Sequence, residues 1–168
     1  MPEKDALIFT PYSNDLAGQI RAIYEASILN NTVGFVQDLE FHGPITDQAI
    51  SFVRDGGYFA IAQKDSTAIG FGALKKTEPY VFELCKLHIG SDHLGQGYGY
   101  ALSQHLLNHA ADMMNARKVI LHVTTSQAPA IGLYKKLGFE TTLQKIYTVN
   151  VNGIDTDFDT LHMEKSFT

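Results

Sequence analysis

The sequence predicts an α+β fold: a mixed, mostly antiparallel sheet with one parallel βαβ unit at its centre, flanked by about four helices. Three observations predict it. The apolar residues change period along the chain, from the 3.6-residue spacing of a helix to alternation and back. From Tyr58 three strand-like runs, YFAIAQ, AIGFGALKK and YVFELCKLHI, follow one another across turn-forming residues, as antiparallel neighbours do. A helical stretch then separates the third run from KVILHV, the crossover that a parallel pair requires. The 168 residues read as one domain, 1–168, because a chain of that length buries roughly 70% of the surface its unfolded form exposes.

Ala6 to Thr10 forms a short first strand. Ser13 then offers an N-cap, and Leu16, Ile20, Ile23 and Tyr24 share one face of a helix over about 14–29. ILNNTVGFVQDLEFHGPIT keeps no period and reads as a long connection whose Phe35 and Phe41 fold back over a site. Thr46 caps a short helix that turns Ile50 and Val53 inward and stops at Gly56 and Gly57. KDST turns the first hairpin, and Glu78 and Pro79 break the next. Gly97 to about Asn115 is helical, with Leu102, Leu106, His109 and Met113 along one stripe. KVILHV, Lys118 to Val123, is a strand rich in branched side chains. Ala128 to Leu137 is a last helix stopped by Gly138. Phe139 opens a final strand pair turned at Asn152 and Gly153, a dipeptide suited to a two-residue hairpin.

Composition narrows the function. With 45% hydrophobic and 18% charged residues the chain has the apolar content for a core, which a disordered chain lacks. Against 18 acidic residues stand 13 Lys and Arg, a net charge of -5, so no nucleic-acid partner is expected and a cationic small partner suits the surface better. Cys85 has no second cysteine to pair with and sits in an apolar run, a buried thiol of a reducing compartment. MPEKDALIFT is charged and lacks an apolar leader core, and no window approaches about 18 uninterrupted apolar residues, so a cytoplasmic location with no membrane partner is expected.

Two stretches carry the chemistry. HLGQGYGYAL, His93 to Leu102, sets three glycines at alternate positions just before a helix. Glycines let backbone approach a ligand, and the first N–H groups of the helix point back at the loop, so an anion belongs there. Gly95, Gly97 and Gly99 lack the GxGxxG spacing of a dinucleotide loop, and no lysine followed by Ser or Thr completes a P-loop. One strand later comes TTSQAPAIGLYKKLGF, Thr124 to Phe139.

The pair resembles the GNAT superfamily of acetyl-CoA-dependent N-acetyltransferases, over roughly residues 58 to 140. Leu94, Gly95, Gln96, Gly97, Tyr98 and Gly99 stand where the superfamily has Q/R-x-x-G-x-G/A, with Leu94 replacing the Gln or Arg. Gln127 takes the Asn position of N-x-x-A-x-x-L-Y-x-x-x-G-F, and Ala130, Leu133, Tyr134, Gly138 and Phe139 follow in register.

The resemblance implies a GNAT-like sheet whose two parallel strands splay apart, with the pantetheine arm inserted between them. Leu87, His88 and Ile89 would supply the open edge. The diphosphate would sit on the amides from Gly95 to Gly99, beside Leu94, and the amide of Gln127 would meet the arm. Among Arg117, Lys118, Lys135 and Lys136, Lys136 is the foremost candidate for the nucleotide phosphates. Tyr134 would protonate the leaving thiolate. Glu83, read as sharing a face with Leu87 and Ile89, would be the base, through water.

Acetyl-CoA is thus the expected cosubstrate, and the expected acceptor is a primary amine of a small molecule or peptide, attacked directly in a ternary complex. No metal is expected: His105 and His109 are one turn apart but lack an HExxH frame and a third ligand. His88 and His122, on neighbouring strands, are candidate proton relays. Asp155, Asp157 and Asp159 share one face of the last strand, as solvated charge or as an attractor of the amine. Two alternatives stand beside the small-molecule enzyme: a protein N-terminal or lysine acetyltransferase, and a catalytically silent CoA-binding regulatory domain, toward which Leu94 and Gln127 point. The sheet ends leave a homodimer open.

Overall fold

A computed structural model describes residues 7–30 and 43–167. Seven strands, β1 (Ile8–Pro11), β2 (Tyr58–Lys64), β3 (Thr67–Glu78), β4 (Val81–Ile89), β5 (Lys118–Thr124), β6 (Glu140–Val151) and β7 (Ile154–Ser166), form one sheet in the order β1-β2-β3-β4-β5-β7-β6. Tight turns fix the antiparallel neighbours: Asp65 and Ser66 between β2 and β3, and Asn152 and Gly153 between β6 and β7, all have positive φ. Among the described strands only β4 and β5 run parallel, joined through the crossover helix between them. Four helices are described: α1 (Ala17–Asn30), α2 (Ile45–Arg54), α3 (Tyr98–Met113) and α4 (Ala128–Lys136).

Alternation along the strands divides the core by face. On one side Ala60, Ala62, Leu74, Phe82, Leu84, Val119 and Leu121 meet Leu102, Leu106, Leu107 and Ala110 of α3, with Ile131, Leu133 and Tyr134 of α4 packed against them. On the other side Phe59, Ile61, Phe71 and Ala73 meet Ile20, Tyr24 and Ile28 of α1 and Ile45 and Ala49 of α2. Ser13 caps the short 3-10 turn that leads into α1, its hydroxyl accepting from the amide of Asp15, as the sequence predicts.

Two predicted faces differ. α2 begins at Ile45 after Pro44, without a cap from Thr46. Ile50 and Val53 are about half exposed, while Ile45 and Ala49 are buried and Phe52 packs beside them. Only one stripe of a short helix can meet the sheet, and Ile45, Ala49 and Phe52 hold it at i, i+4 and i+7, with small Ala49 allowing close approach. On α3 the stripe runs through Leu102, Leu106, Leu107 and Ala110, leaving Met113 at the solvent. His109 lies flat on Tyr58, rings 3.6 Å apart. His105 stacks on Phe9 at 4.5 Å and its Nε2 meets the Tyr58 hydroxyl at 2.9 Å. These two histidines therefore fasten β1 and β2 to α3. Among the described residues no group of acidic, histidine and cysteine side chains forms a metal site, and no helix is long and apolar enough to cross a membrane. Phe35 and Phe41 lie outside the described residues.

Candidate active site

The parallel pair barely pairs. Val81, Phe82 and Glu83 face Lys118, Val119 and Ile120, and beyond Glu83 the two strands part. A bulge helps to drive them apart. Opposite β3, Cys85 pairs with Ala73 and His88 with Phe71, so Gly72 alone faces both Lys86 and Leu87, and Lys86 takes φ 55°. The free side of β4 from Leu84 to Ile89 borders a cavity of about 970 Å³. α1, α2, β5 and α4 close its other walls through Tyr24, Ser51, His122 and Tyr134.

This cavity gathers much of the predicted site. Glu83, Leu87, His88, Ile89, Leu94, Gln127 and Tyr134 all line it. Gln127 holds the N-cap position of α4, where its carbonyl accepts from the amide of Ile131 at 3.0 Å. An adjoining hollow of about 580 Å³ shares Ser27, Ile89 and Leu94 and reaches the turn before the glycines. Gly95, Gln96 and Gly97 stand outside both, on the exposed loop before α3, and Tyr98 and Gly99, also outside both, are the half-buried first residues of α3. Gly95 and Gly97 have φ +75° and +81°, and a side chain at either would meet nothing within 4 Å. Gly97 is the N-cap residue of α3, so the loop presents bare backbone and the unpaired N–H groups of a helix to open space. The residues present therefore fit a phosphate-bearing ligand whose arm runs into the cavity.

Tyr98 accepts a hydrogen bond from the Lys64 ammonium at 3.0 Å. The Lys136 ammonium lies 5.1 Å above the ring of Tyr100, next to that loop. Arg117 and Lys118 are elsewhere: they sit at the start of β5, where Arg117 stacks on Tyr80 and Lys118 pairs with Glu164 at 3.4 Å. That is the paired end of the parallel strands, away from the gap.

Tyr134 enters from α4, its ring edge-on to Phe139. Burial, and then the nearby Cys85, push its phenol up to about 12. Glu83 comes from the opposite face. The bulge at Lys86 reverses the alternation of β4, so Leu87 and Ile89 pack with Phe82 and Leu84 while Cys85 packs in the α1 core. Glu83, odd-numbered and before the bulge, therefore does not share the face of Leu87 and Ile89, against the sequence reading. Burial, and then the charge of Glu83, push the Cys85 thiol up to about 12.

His88 and His122 both line the cavity, on neighbouring strands, and each has a different partner. His88 is buried against α1, its Nδ1 2.8 Å from the Ser27 hydroxyl. His122 instead faces His162 across the β5–β7 pair, rings 4.2 Å apart, and the Tyr147 hydroxyl meets His162 Nε2 at 2.6 Å. Burial, and then His122, lower the pKa of His162. The acidic row of β7 is engaged by β6: Asp155 accepts from Asn150, Asp157 from Thr148 and Asp159 from Gln144. Sequence reasoning missed Lys86, which lines the cavity, and the contact of Tyr147 and His162 with the cavity residue His122. Only strand register could have brought these together, and register is not a local signal.

Residues 15–139 match the acetyltransferase (GNAT) family. Human N-acetyltransferase 8B is 30% identical over 124 residues, which are 70% of this chain and 54% of that protein. The chain thus spans about half the length of the curated relatives it matches. The structure of yncA, a Salmonella typhimurium acetyltransferase with its cofactor acetyl-CoA, superposes with a TM-score of 0.77 at 16% identity, covering 96% of this chain and 94% of the other. A phosphinothricin acetyltransferase from Sinorhizobium meliloti, in complex with acetyl-CoA, gives 0.77 at 18% identity over 95% and 88% of the two chains. The family match extends over more than half the sequence and takes in the parted strands, the glycine loop and Tyr134, and the chain belongs to the GNAT acetyltransferases.

Proposed function

We propose that the protein is an N-acetyltransferase that uses acetyl-CoA as cosubstrate and acetylates a primary amine in a ternary complex. The observation that carries this reading is the gap between β4 and β5, opening beside bare glycine backbone, with Tyr134 and Glu83 reaching it from opposite faces of the sheet. Leu87, His88 and Ile89 would hold the pantetheine arm by their backbone, as an added strand. The loop amides and the positive end of α3 would hold the diphosphate. Lys136 would reach the nucleotide phosphates and Gln127 the arm. The thioester supplies an activated acyl carbon.

Glu83, through water, takes a proton from the ammonium, whose reference pKa is about 10.4. The amine nitrogen then bonds to the acyl carbon, the carbon–sulfur bond breaks, and Tyr134 hands its phenolic hydrogen to the departing sulfur, while the second proton released by the nitrogen passes through water to the phenolate and restores it. A phenol at about 12 is protonated throughout the neutral range. The desolvation that raises it raises a thiolate formed beside it as well, which strengthens that thiolate as a proton acceptor. The Cys85 thiol, also near 12, stays protonated and is a poor acyl carrier, which favours direct attack.

Calorimetry with CoA, followed by thiol release from acetyl-CoA with a panel of amines, tests the reading. Heat on binding and amine-dependent release are expected. No heat removes the proposal, and heat without release by any amine leaves a silent CoA binder.

A further inference from the structure

We propose that Lys86 binds a carboxylate of the acceptor, so that the amine acetylated here also carries a free acid group; this rests on the transferase reading above. Lys86 is half-buried in the wall of the 970 Å³ cavity. Its ammonium lies 3.5 Å from the Tyr24 hydroxyl and 5.7 Å over the Tyr24 ring. The ion pairs among the described residues, Arg54–Asp55 and Lys118–Glu164, leave it without a carboxylate. A half-buried ammonium that meets a phenol and no carboxylate among the described residues is open to a counterion, and an anionic ligand supplies one.

The position is prepared in advance. Tyr24 is 2% exposed and wedged between the rings of Phe71 and His88, so the phenol that steadies the ammonium cannot drift. Lys86 keeps φ 55°, a backbone region that favours glycine, and it does so on the bulge where β4 leaves β5. Among the described residues the carboxylates of the cavity wall are Glu83, three residues earlier, and Asp47 on α2; Lys75 of β3 stands opposite Glu83. An acceptor bearing both an ammonium and a carboxylate meets opposite charges on one strand: Glu83 for the nitrogen, Lys86 for the acid.

The test uses the full chain, acetyl-CoA and matched probes: the common α-amino acids, their carboxamides and the corresponding decarboxylated amines. The best acid should exceed its amide and its decarboxylated amine by about 10- to 100-fold in kcat/KM, the range of a hydrogen bond to a charged group. Lys86→Met should abolish that preference by lowering only the acid, and Lys86→Arg should keep most of it. Amides and simple amines turning over as well as acids would overturn the inference while leaving the transferase standing. So would a Lys86→Met protein that loses acid and amide turnover alike, for the lysine would then serve the reaction and not the carboxylate. Turnover of no amine at all defeats the transferase reading and this inference with it.

Discussion

Tyr134 and Glu83 reach the same gap by different routes, and their substitutions should separate. Tyr134→Phe keeps the ring against Phe139 and removes only the hydroxyl, so kcat should fall about 10²- to 10⁴-fold while the KM for acetyl-CoA stays within a few-fold. Steady-state thiol release reads both numbers, and unchanged turnover would take Tyr134 out of the chemistry. A phenol at about 12 also predicts no loss of kcat assignable to this group between pH 8 and 10, as a pH–rate profile would show. Tyr134 was legible because it stands inside a spaced pattern of Ala130, Leu133, Gly138 and Phe139. The face of Glu83 was not, because one extra residue at Lys86 reverses the alternation on which the reading depended.

Elements show the same division between local signals and tertiary contacts. The glycine loop and the Asn152–Gly153 turn were readable, since each needs a backbone conformation that its own residues favour. The inward face of α2 was not, since Ile50 and Val53 are as apolar as Ile45, and only the approach to the sheet chooses between them. Gly97→Ala puts a methyl group where φ is +81° and the surrounding space is open. Stability should drop by about 1 kcal/mol from the backbone alone. Calorimetry should show acetyl-CoA affinity falling more steeply, because the methyl group would occupy the ground proposed for the diphosphate. Gly132→Ala is the converse case: it lies within α4 with nothing near a new methyl group, and should raise stability by about 0.5–1 kcal/mol in a denaturant titration.

For the whole molecule, the succession of seven strands along the chain and one parallel crossover were anticipated from the changing periods, while the order of strands in the sheet and the pairing of His105 with Phe9 and Tyr58 depended on tertiary packing. That pairing makes stability depend on acid. Burial lowers the pKa of His105 and of His109, with His109 adding to the effect at His105. As pH falls the unfolded chain takes up protons first, near 6.5, and the fold loses stability until the folded values are passed. The urea midpoint should therefore decline below about pH 6.5. His105→Gln, which keeps a partner for Tyr58, should flatten that decline relative to the parent.

A sheet whose halves meet through three residue pairs, Val81–Lys118 to Glu83–Ile120, behaves like a hinge with a short pin. An arm laid along the vacant edge would act as a splint across it, and the amides of Leu84 to Ile89 that point into the seam should exchange hydrogen fastest in the empty protein and slowest with the ligand seated. At a hundredfold excess over Kd such a ligand adds about 2.7 kcal/mol to the stability of the fold. Substrate here would thus be a temporary beam of the building, and its spent thiol, on leaving, would let the seam swing loose for the next turn.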